Sequence, residues 1–413
     1  MKNNLRLFIA VLFSALLTSG CTVSEVIHAE TTNLEVASLQ ISESMLLDVG
    51  ILNFDSGVPD NNDVEKTRIY PEVRMAEARY LPYHIKTTLQ GTAFWGAVRV
   101  IPSAEVSTDV LVNGVIEESD GEFVVLRLSA SDATGRHWFE KSYTMQTGIS
   151  SYADYRDRTQ DPYQKVFNEF ANDLHAYAMT IDPKDIVRIR QVSELKFFAA
   201  MAPTAYGEHL VRNEDGMVSA QRLPAENDPM VGRLRQIRER DRLVVDTLNE
   251  HYANFYYGIA LPYEGWRKRT REQSVAFRQS RQAAVRRALI GAAVLVGSAS
   301  VNTDGNYYDA ERIAQTVAIN KGWNTIVNAF YQYRSANVHR EEIKELSESF
   351  VAEAAPMVVQ VQGETLRLTG TAEAQYESWR KLLRDIYETE TGFTETIQVG
   401  SPTRTPQPRQ PSG

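Results

Sequence analysis

The apolar positions change rhythm along this chain, and each change predicts a different kind of element. From Met45, "MLLDVGILNF" is almost continuously apolar, which predicts a buried strand over Leu46–Phe54. In "PEVRMAEARYLPYHIKTTLQ", Met75, Ala78, Leu81, Ile85 and Leu89 recur near every 3.6 residues, so an amphipathic helix is expected. Pro71 suits its first turn, and Pro82 should kink it. "AFWGAVRVIP" then reads as a strand. Three further strands should form a meander up to Gln146, turning at Asp120–Gly121 and at Ala133–Gly135. Val124, Leu126, Leu128 and Ala130 alternate as a half-buried strand does.

From Ser150 to Pro356 the period becomes helical almost throughout. The dipeptides Asp161–Pro162 and Asp182–Pro183 open two helices, the first with a stripe of Phe167, Phe170, Leu174 and Tyr177. From Asp228 a long helix carries Leu234, Ile237, Val244, Leu248, Tyr252, Phe255 and Ile259, a spacing close to the heptad of paired helices. Pro262 should interrupt it before it resumes near Tyr263 and runs to about Ser300. A last long helix is expected from about Asp309 to Ala354. Helices of this length suggest a hairpin or bundle that projects from the domain and can self-associate. At the end, Met357–Gln362 and Glu364–Thr369 should pair across Gly363, with a helix carrying Tyr376, Trp379, Leu382, Leu383 and Ile386 packed on that pair, then a strand over Thr394–Val399. The fold class is therefore α+β. Its expected parts are an α+β domain (45–148), a helical region (149–355), a small α/β unit (356–399) and a Pro-rich polar tail (400–413).

Two stretches resemble known families. The order strand, helix, strand, meander over residues 45–146 resembles the small α+β domain of the amino-terminal part of the TolB translocation protein, the curli-secretion lipoprotein and lipoprotein activators of penicillin-binding proteins. "VQVQGETLRLTG", in the strand pair before the last helix, resembles the BON domain of periplasmic and outer-membrane proteins. Both resemblances imply work in a bacterial envelope.

The amino terminus carries the same implication. Lys2 and Arg6 precede eleven residues, Leu7–Leu17, in which only Ser14 is polar; Thr18, Ser19 and Gly20 then lead to Cys21. A basic start, a short apolar run and a small-residue exit form a secretory signal, and the run is shorter than the roughly 20 residues a spanning helix needs. Ending directly on a cysteine, residues 1–20 resemble the lipobox signal of bacterial lipoproteins. That resemblance implies removal of the signal, acylation of Cys21 and a linker over 21–44. Thr22 implies the outer membrane, because an aspartate in that place retains such proteins at the inner one. Cys21 is the only cysteine, so neither a disulfide framework nor a thiolate metal site can form within the chain.

Composition narrows the chemistry. A net charge of −9 argues against a nucleic-acid partner. The seven histidines show no close metal-binding spacing, and no nucleophile elbow or phosphate loop occurs, so no cofactor, metal or catalytic residue is assigned. His137 and Asp132 read as a solvated pair at a hairpin turn. Charge is nevertheless segregated: "WRKRTREQSVAFRQSRQAAVRR" has eight positive residues, ending in Arg286 and Arg287 and including Arg267, Lys268, Arg269, Arg271, Arg278 and Arg281, and Glu272 is its only acid. The six from Arg267 to Arg281 are the candidate surface for an anionic partner, an envelope protein or a lipid headgroup. The apolar run Ala288–Ala299 follows at once, either buried or touching a membrane. The function expected is a non-enzymatic envelope scaffold or adaptor anchored in the outer membrane and facing the periplasm. An accessory lipoprotein of an export apparatus is second, and a cell-wall-acting hydrolase third.

Overall fold

In a computed structural model the structure describes residues 31–62, 64–67, 69–153, 160–225, 227–298, 340–345, 348, 357–361 and 364–391. Cys21, the strand expected at 394–399, the tail and most of the helix expected at 309–354 lie outside them. The protein is mixed α+β. A five-stranded sheet holds β1 (Val49–Leu52), β2 (Val98–Ile101), β3 (Val110–Ser119), β4 (Phe123–Asp132) and β5 (His137–Gln146) in the order β2-β1-β3-β4-β5. β1 is parallel to both β2 and β3, and β3 to β5 form the antiparallel meander. Gly50 sits where the connection from β2 crosses back over β1: a Cβ there would lie 2.6 Å from Thr108 Cγ2.

Helix α1 (Pro71–Thr92) makes the crossover between β1 and β2. It stays helical through Pro82. The proline withholds the N–H that would bond to the Ala78 carbonyl, and the backbone N–H of Phe54, just after β1, takes that carbonyl at 2.8 Å. Helix α2 (Gln164–Ala178) lies against α1 and the meander, burying Phe167, Phe170 and Leu174. Helix α3 (Pro183–Met201) follows, its Asp182 side chain accepting the Lys184 N–H at 2.8 Å as an N-cap. A small hairpin, β6 (Leu210–Arg212) and β7 (Val218–Ala220), then interrupts what the periodicity presents as continuous helix.

The dominant element is helix α4, Pro229–Ser298, 70 residues without a break. Two expectations change here. Pro262 does not interrupt the helix; the residue four before it, whose carbonyl a proline ring crowds, is Gly258, with open space around its Cβ position. The stripe from Leu234 to Ile259 does pair with helices, but inside the body rather than in a projecting hairpin: α4 packs on α1, α3 and the β2 edge, and all seven residues are buried in the core. The first fifty residues of α4, about 75 Å of helix, therefore lie along the body. Asn249 shows how tightly. Its side-chain amide accepts the Val100 N–H and donates to the Val100 carbonyl, both at 3.0 Å. It covers the open edge of β2 as another strand would. Beside it Arg99 and Asp246 form a two-bond ion pair at 2.6 and 3.0 Å.

The terminal unit has the expected antiparallel pair, β8 (Met357–Val361) and β9 (Glu364–Leu368), followed by helix α5 (Ala372–Thr391). Trp379 is buried, but its polar edge meets α4 rather than the strand pair: Trp379 Nε1 donates to Asp241 Oδ1 at 3.2 Å and the Tyr376 hydroxyl to Asp241 Oδ2 at 3.3 Å. Residues 340–345, within the last expected long helix, are helical and pin the start of α1 through Arg340 and Glu72 at 3.1 Å.

Candidate functional site: the seat of the long helix

The basic stretch singled out in the sequence is where α4 meets the body, and most of its described charge is turned inward. Arg267 is 1 % exposed and makes a two-bond pair with Asp161, at 2.8 and 2.9 Å. Its guanidinium also lies 4.2 Å from the centre of the Tyr263 ring and 4.8 Å from that of Tyr163. Arg267 is thus no part of a surface for an outside anion, a correction to the sequence reading. Arg271 donates to the Thr147 carbonyl at 3.3 Å. Arg278 meets Asp120 at 2.5 Å, Glu122 at 3.2 Å and Glu118 at 3.6 Å, all from the β3–β4 hairpin. Lys268 and Arg269 are exposed and have interactions of their own. The side chains of Arg281 and of the 288–299 run lie outside the described residues, although the helical backbone continues to Ser298.

Several distant segments build this seat. Asp161 arrives from the Asp–Pro dipeptide ahead of α2, where its Oδ1 also takes the Tyr163 N–H at 2.8 Å. The Asp120–Gly121 turn presses directly on α4. Gly121 has φ +79°, and a Cβ there would sit 2.2 Å from the Arg267 carbonyl oxygen, so both the conformation and the approach require glycine. Tyr152 and Thr147 fix that turn by donating to the Gly121 carbonyl at 2.9 and 2.8 Å.

A second carboxylate lies deeper. Glu77 of α1 is fully buried and accepts from Ser119 at 2.5 Å and from the Tyr263 hydroxyl at 2.6 Å, with Arg74 3.6 Å away. His84, two turns further along the same face of α1, pairs with the Tyr256 hydroxyl at 2.7 Å through Nδ1 and with Gln164 Oε1 at 2.9 Å through Nε2. The Gln164 amide nitrogen already donates to Asn168 and Thr88. Its oxygen therefore faces His84, which assigns the ring proton to Nε2 and leaves Nδ1 to accept from Tyr256. Tyr80 stacks on Tyr256, ring centres 4.5 Å apart, and its hydroxyl lies 3.5 Å from Asp161.

Burial and pairing push these groups in different directions. Burial raises the Asp161 carboxyl, but Arg267 and His84 outweigh it and hold the group well below the usual carboxylate range. Burial raises Glu77, and Arg74 with two hydroxyl donors only partly offset it. Burial lowers His84, which is neutral at pH 7. Two carboxyl groups with opposed shifts are a pattern that acid–base enzymes use. Here, however, Glu77 and Asp161 are sealed, and a substrate would have to displace their present partners. Asp132 is not the solvated partner of His137. It is buried and accepts from Trp138 Nε1 at 2.9 Å and from Thr134.

Among the described residues no group of three His, Cys, Asp or Glu side chains is placed to hold a metal, and no helix is long and apolar enough to cross a membrane. No protein-family profile matches the chain, and comparison with curated proteins and with solved structures finds no match.

Proposed function

We propose that the chain is a lipid-anchored lipoprotein of the outer membrane that faces the periplasm and works as a non-enzymatic envelope adaptor. In this reading acylated Cys21 fixes the protein to the membrane, the α+β body is a rigid base, and α4 is an arm. The observation that carries the reading is the path of α4. Residues from Pro229 to Arg278 are bound along the body, and the helical backbone continues through 279–298, about 30 Å further. That extension ends in the apolar run that begins at Ala288. A base that grips a helix through sealed ion pairs suits positioning rather than turnover, and the extension is the natural contact for an envelope protein or an anionic lipid. The strand–helix–strand–meander order favours one second reading, an accessory lipoprotein of an export apparatus. It shares the anchor and the arm and differs in the partner.

The test is fractionation of cells carrying Cys21→Ala, combined with photo-crosslinking from positions along 282–298. The variant should leave the membrane fraction in high salt, and the arm should crosslink to discrete envelope components. Exposed body positions such as Val187 should give none of these products. A Cys21→Ala protein that stays as tightly bound as the parent refutes the lipid anchor. Crosslinks that stay within the chain refute the arm.

A further inference from the structure

A cleft of about 490 Å³ opens on the other side of the molecule, between the 104–108 segment, the meander, α3 and α5. Its wall contains a cation that the fold leaves unsatisfied. Arg380 of α5 is 5 % exposed and lies with its guanidinium 5.2 Å from the centre of the Phe197 ring. It lines the cleft, and among the described residues it has no hydrogen-bond acceptor; Nη1 is fully buried without one. Asp241 attracts it, but that carboxylate is occupied by Tyr376 and Trp379 and makes no ion pair with it. A buried guanidinium nitrogen without an acceptor is costly, and such a group asks for an explanation.

The rest of the lining points to what would satisfy it. Lys196 of α3 and Arg384, one helical turn beyond Arg380, are exposed and line the same cleft. The hydroxyls of Ser107 and Ser193 add polar groups, and Arg238 donates to both from behind, at 3.1 and 3.2 Å. Two acids also line the space. Asp132 is engaged by Trp138 and Thr134, and Glu105 is exposed. Three cations thus line the cleft against two acids, Glu105 and Asp132, and Asp132, which attracts Lys196, has its oxygens engaged by Trp138 and Thr134.

We propose that this cleft binds a small organic phosphate, with the phosphoryl oxygens held by the Arg380 fork and the Lys196 ammonium. Phosphate fits better than carboxylate because it brings a second negative charge and a third oxygen to a site with three cations and a planar fork. The volume falls within the roughly 300–1,000 Å³ of small-molecule sites, so the phosphate is one end of a larger ligand. Its source is either a soluble phosphate ester or the headgroup of a lipid. The site owes nothing to the lipid anchor or to the arm, and it stands or falls separately from the adaptor reading.

The experiment is calorimetric titration and thermal unfolding of the full chain in detergent. The probes are glycerol 3-phosphate, short-chain phosphatidic acid, succinate, and sodium chloride at matched ionic strength. Both phosphate probes should bind saturably and raise the unfolding midpoint, as a ligand of the folded state must. Succinate and chloride should do neither. Tighter binding of phosphatidic acid identifies a lipid source; equal or weaker binding identifies a soluble ester. Arg380→Met should weaken binding at least about tenfold, the scale of one charge-assisted contact. Its unliganded midpoint reports what Asp241 loses with that cation, and binding is read on the folded variant. Lys196→Gln, at an exposed position, keeps the test decisive if Arg380→Met does not fold. Succinate binding as tight as phosphate, no phosphate-specific effect, or unchanged binding in the variants that fold overturns the proposal.

Discussion

Asp161 is buried against α4 and Asp241 is a buried residue of α4, and the fold holds them by opposite means. Asp161 faces a guanidinium two bonds wide and stays ionised far below the usual range. Asp241 is met by a phenol and an indole, and burial raises its carboxyl despite the attraction of Arg380. The first contact is an electrostatic lock: removing one partner strands a charge. The second is a packing contact with polar tips: two large aromatic side chains cover the helix, and the acid only orients them. One long helix is thus seated at one place by charge and at another by shape, and the two seats should fail differently.

Arg267→Met gives the largest expected effect. It leaves Asp161 buried without its counter-ion, which should cost about 3–5 kcal/mol of stability in denaturant unfolding. Adding Asp161→Leu to the same chain should recover a large part of that loss, because replacing both members of a buried pair by apolar groups is often neutral. A single variant that unfolds like the parent would sink the lock.

Trp379→Phe tests the other seat. The ring volume is mostly kept, and Asp241 Oδ1 loses its donor. The expected cost is about 1–3 kcal/mol, the range for a buried acceptor left unmatched. Asp241→Asn should cost less than Arg267→Met, since Asp241 attracts Arg380 but makes no ion pair with it, whereas Asp161 and Arg267 share two bonds. If the two substitutions cost the same, the contrast between the seats is wrong.

Trp379 also shows what the sequence can and cannot reveal. Its burial was legible, because it falls on a helical stripe with Tyr376, Leu383 and Ile386, all buried. Its partner was not, because a stripe gives a face and not what covers it; Asp241 is more than a hundred residues away. The same holds for the stripe from Leu234 to Ile259, whose period is right and whose partners, α1, α3, α5 and the β2 edge, come from distant parts of the chain. The meander and both its turns were readable because Gly121 and Gly135, with φ +79° and +86°, mark them locally. The β6–β7 hairpin was missed although "NEDG" signals a turn with Gly216 at φ +82°; its strands have only three residues each. The basic run was read as a surface because charge density along a chain says nothing of which arginine meets an acid. Arg267 and Asp161 are 106 residues apart, and no local pattern joins them.

The groups around the Asp161 seat set a pH dependence with competing signs. His84 has its folded value below 6.5, so stability is present above that pH and is lost as pH falls, when the unfolded chain takes up the proton first. Asp161 behaves the same way at lower pH, below the usual carboxylate range. Glu77 works against both. Its folded value lies above 4.5, so it favours the folded chain at low pH and that stability is lost as pH rises through the raised value. Denaturant midpoints measured from pH 7 down to pH 5 should therefore fall only gently in the parent. Glu77→Gln should make the fall steeper, and His84→Phe should flatten it. Identical slopes in all three proteins would show that neither group is coupled to folding in this range.

The smallest effect should come from Arg278, and it bears on the comparison because it is also a charged contact of α4. Its side chain is 32 % exposed and reaches three acids of one hairpin, with the Phe123 ring 4.1 Å away. Solvent screens such pairs, and each exposed ion pair contributes about 0–1 kcal/mol. Arg278→Gln should then cost no more than about 1 kcal/mol, and the difference from the parent should shrink as salt rises towards 1 M, where charges are screened within about 3 Å. The cost of Arg267→Met should persist in the same salt series, because water and ions do not reach that pair. If both losses fade together with salt, Arg267 is no more sealed than Arg278, and the seat at Asp161 is a surface contact rather than a lock.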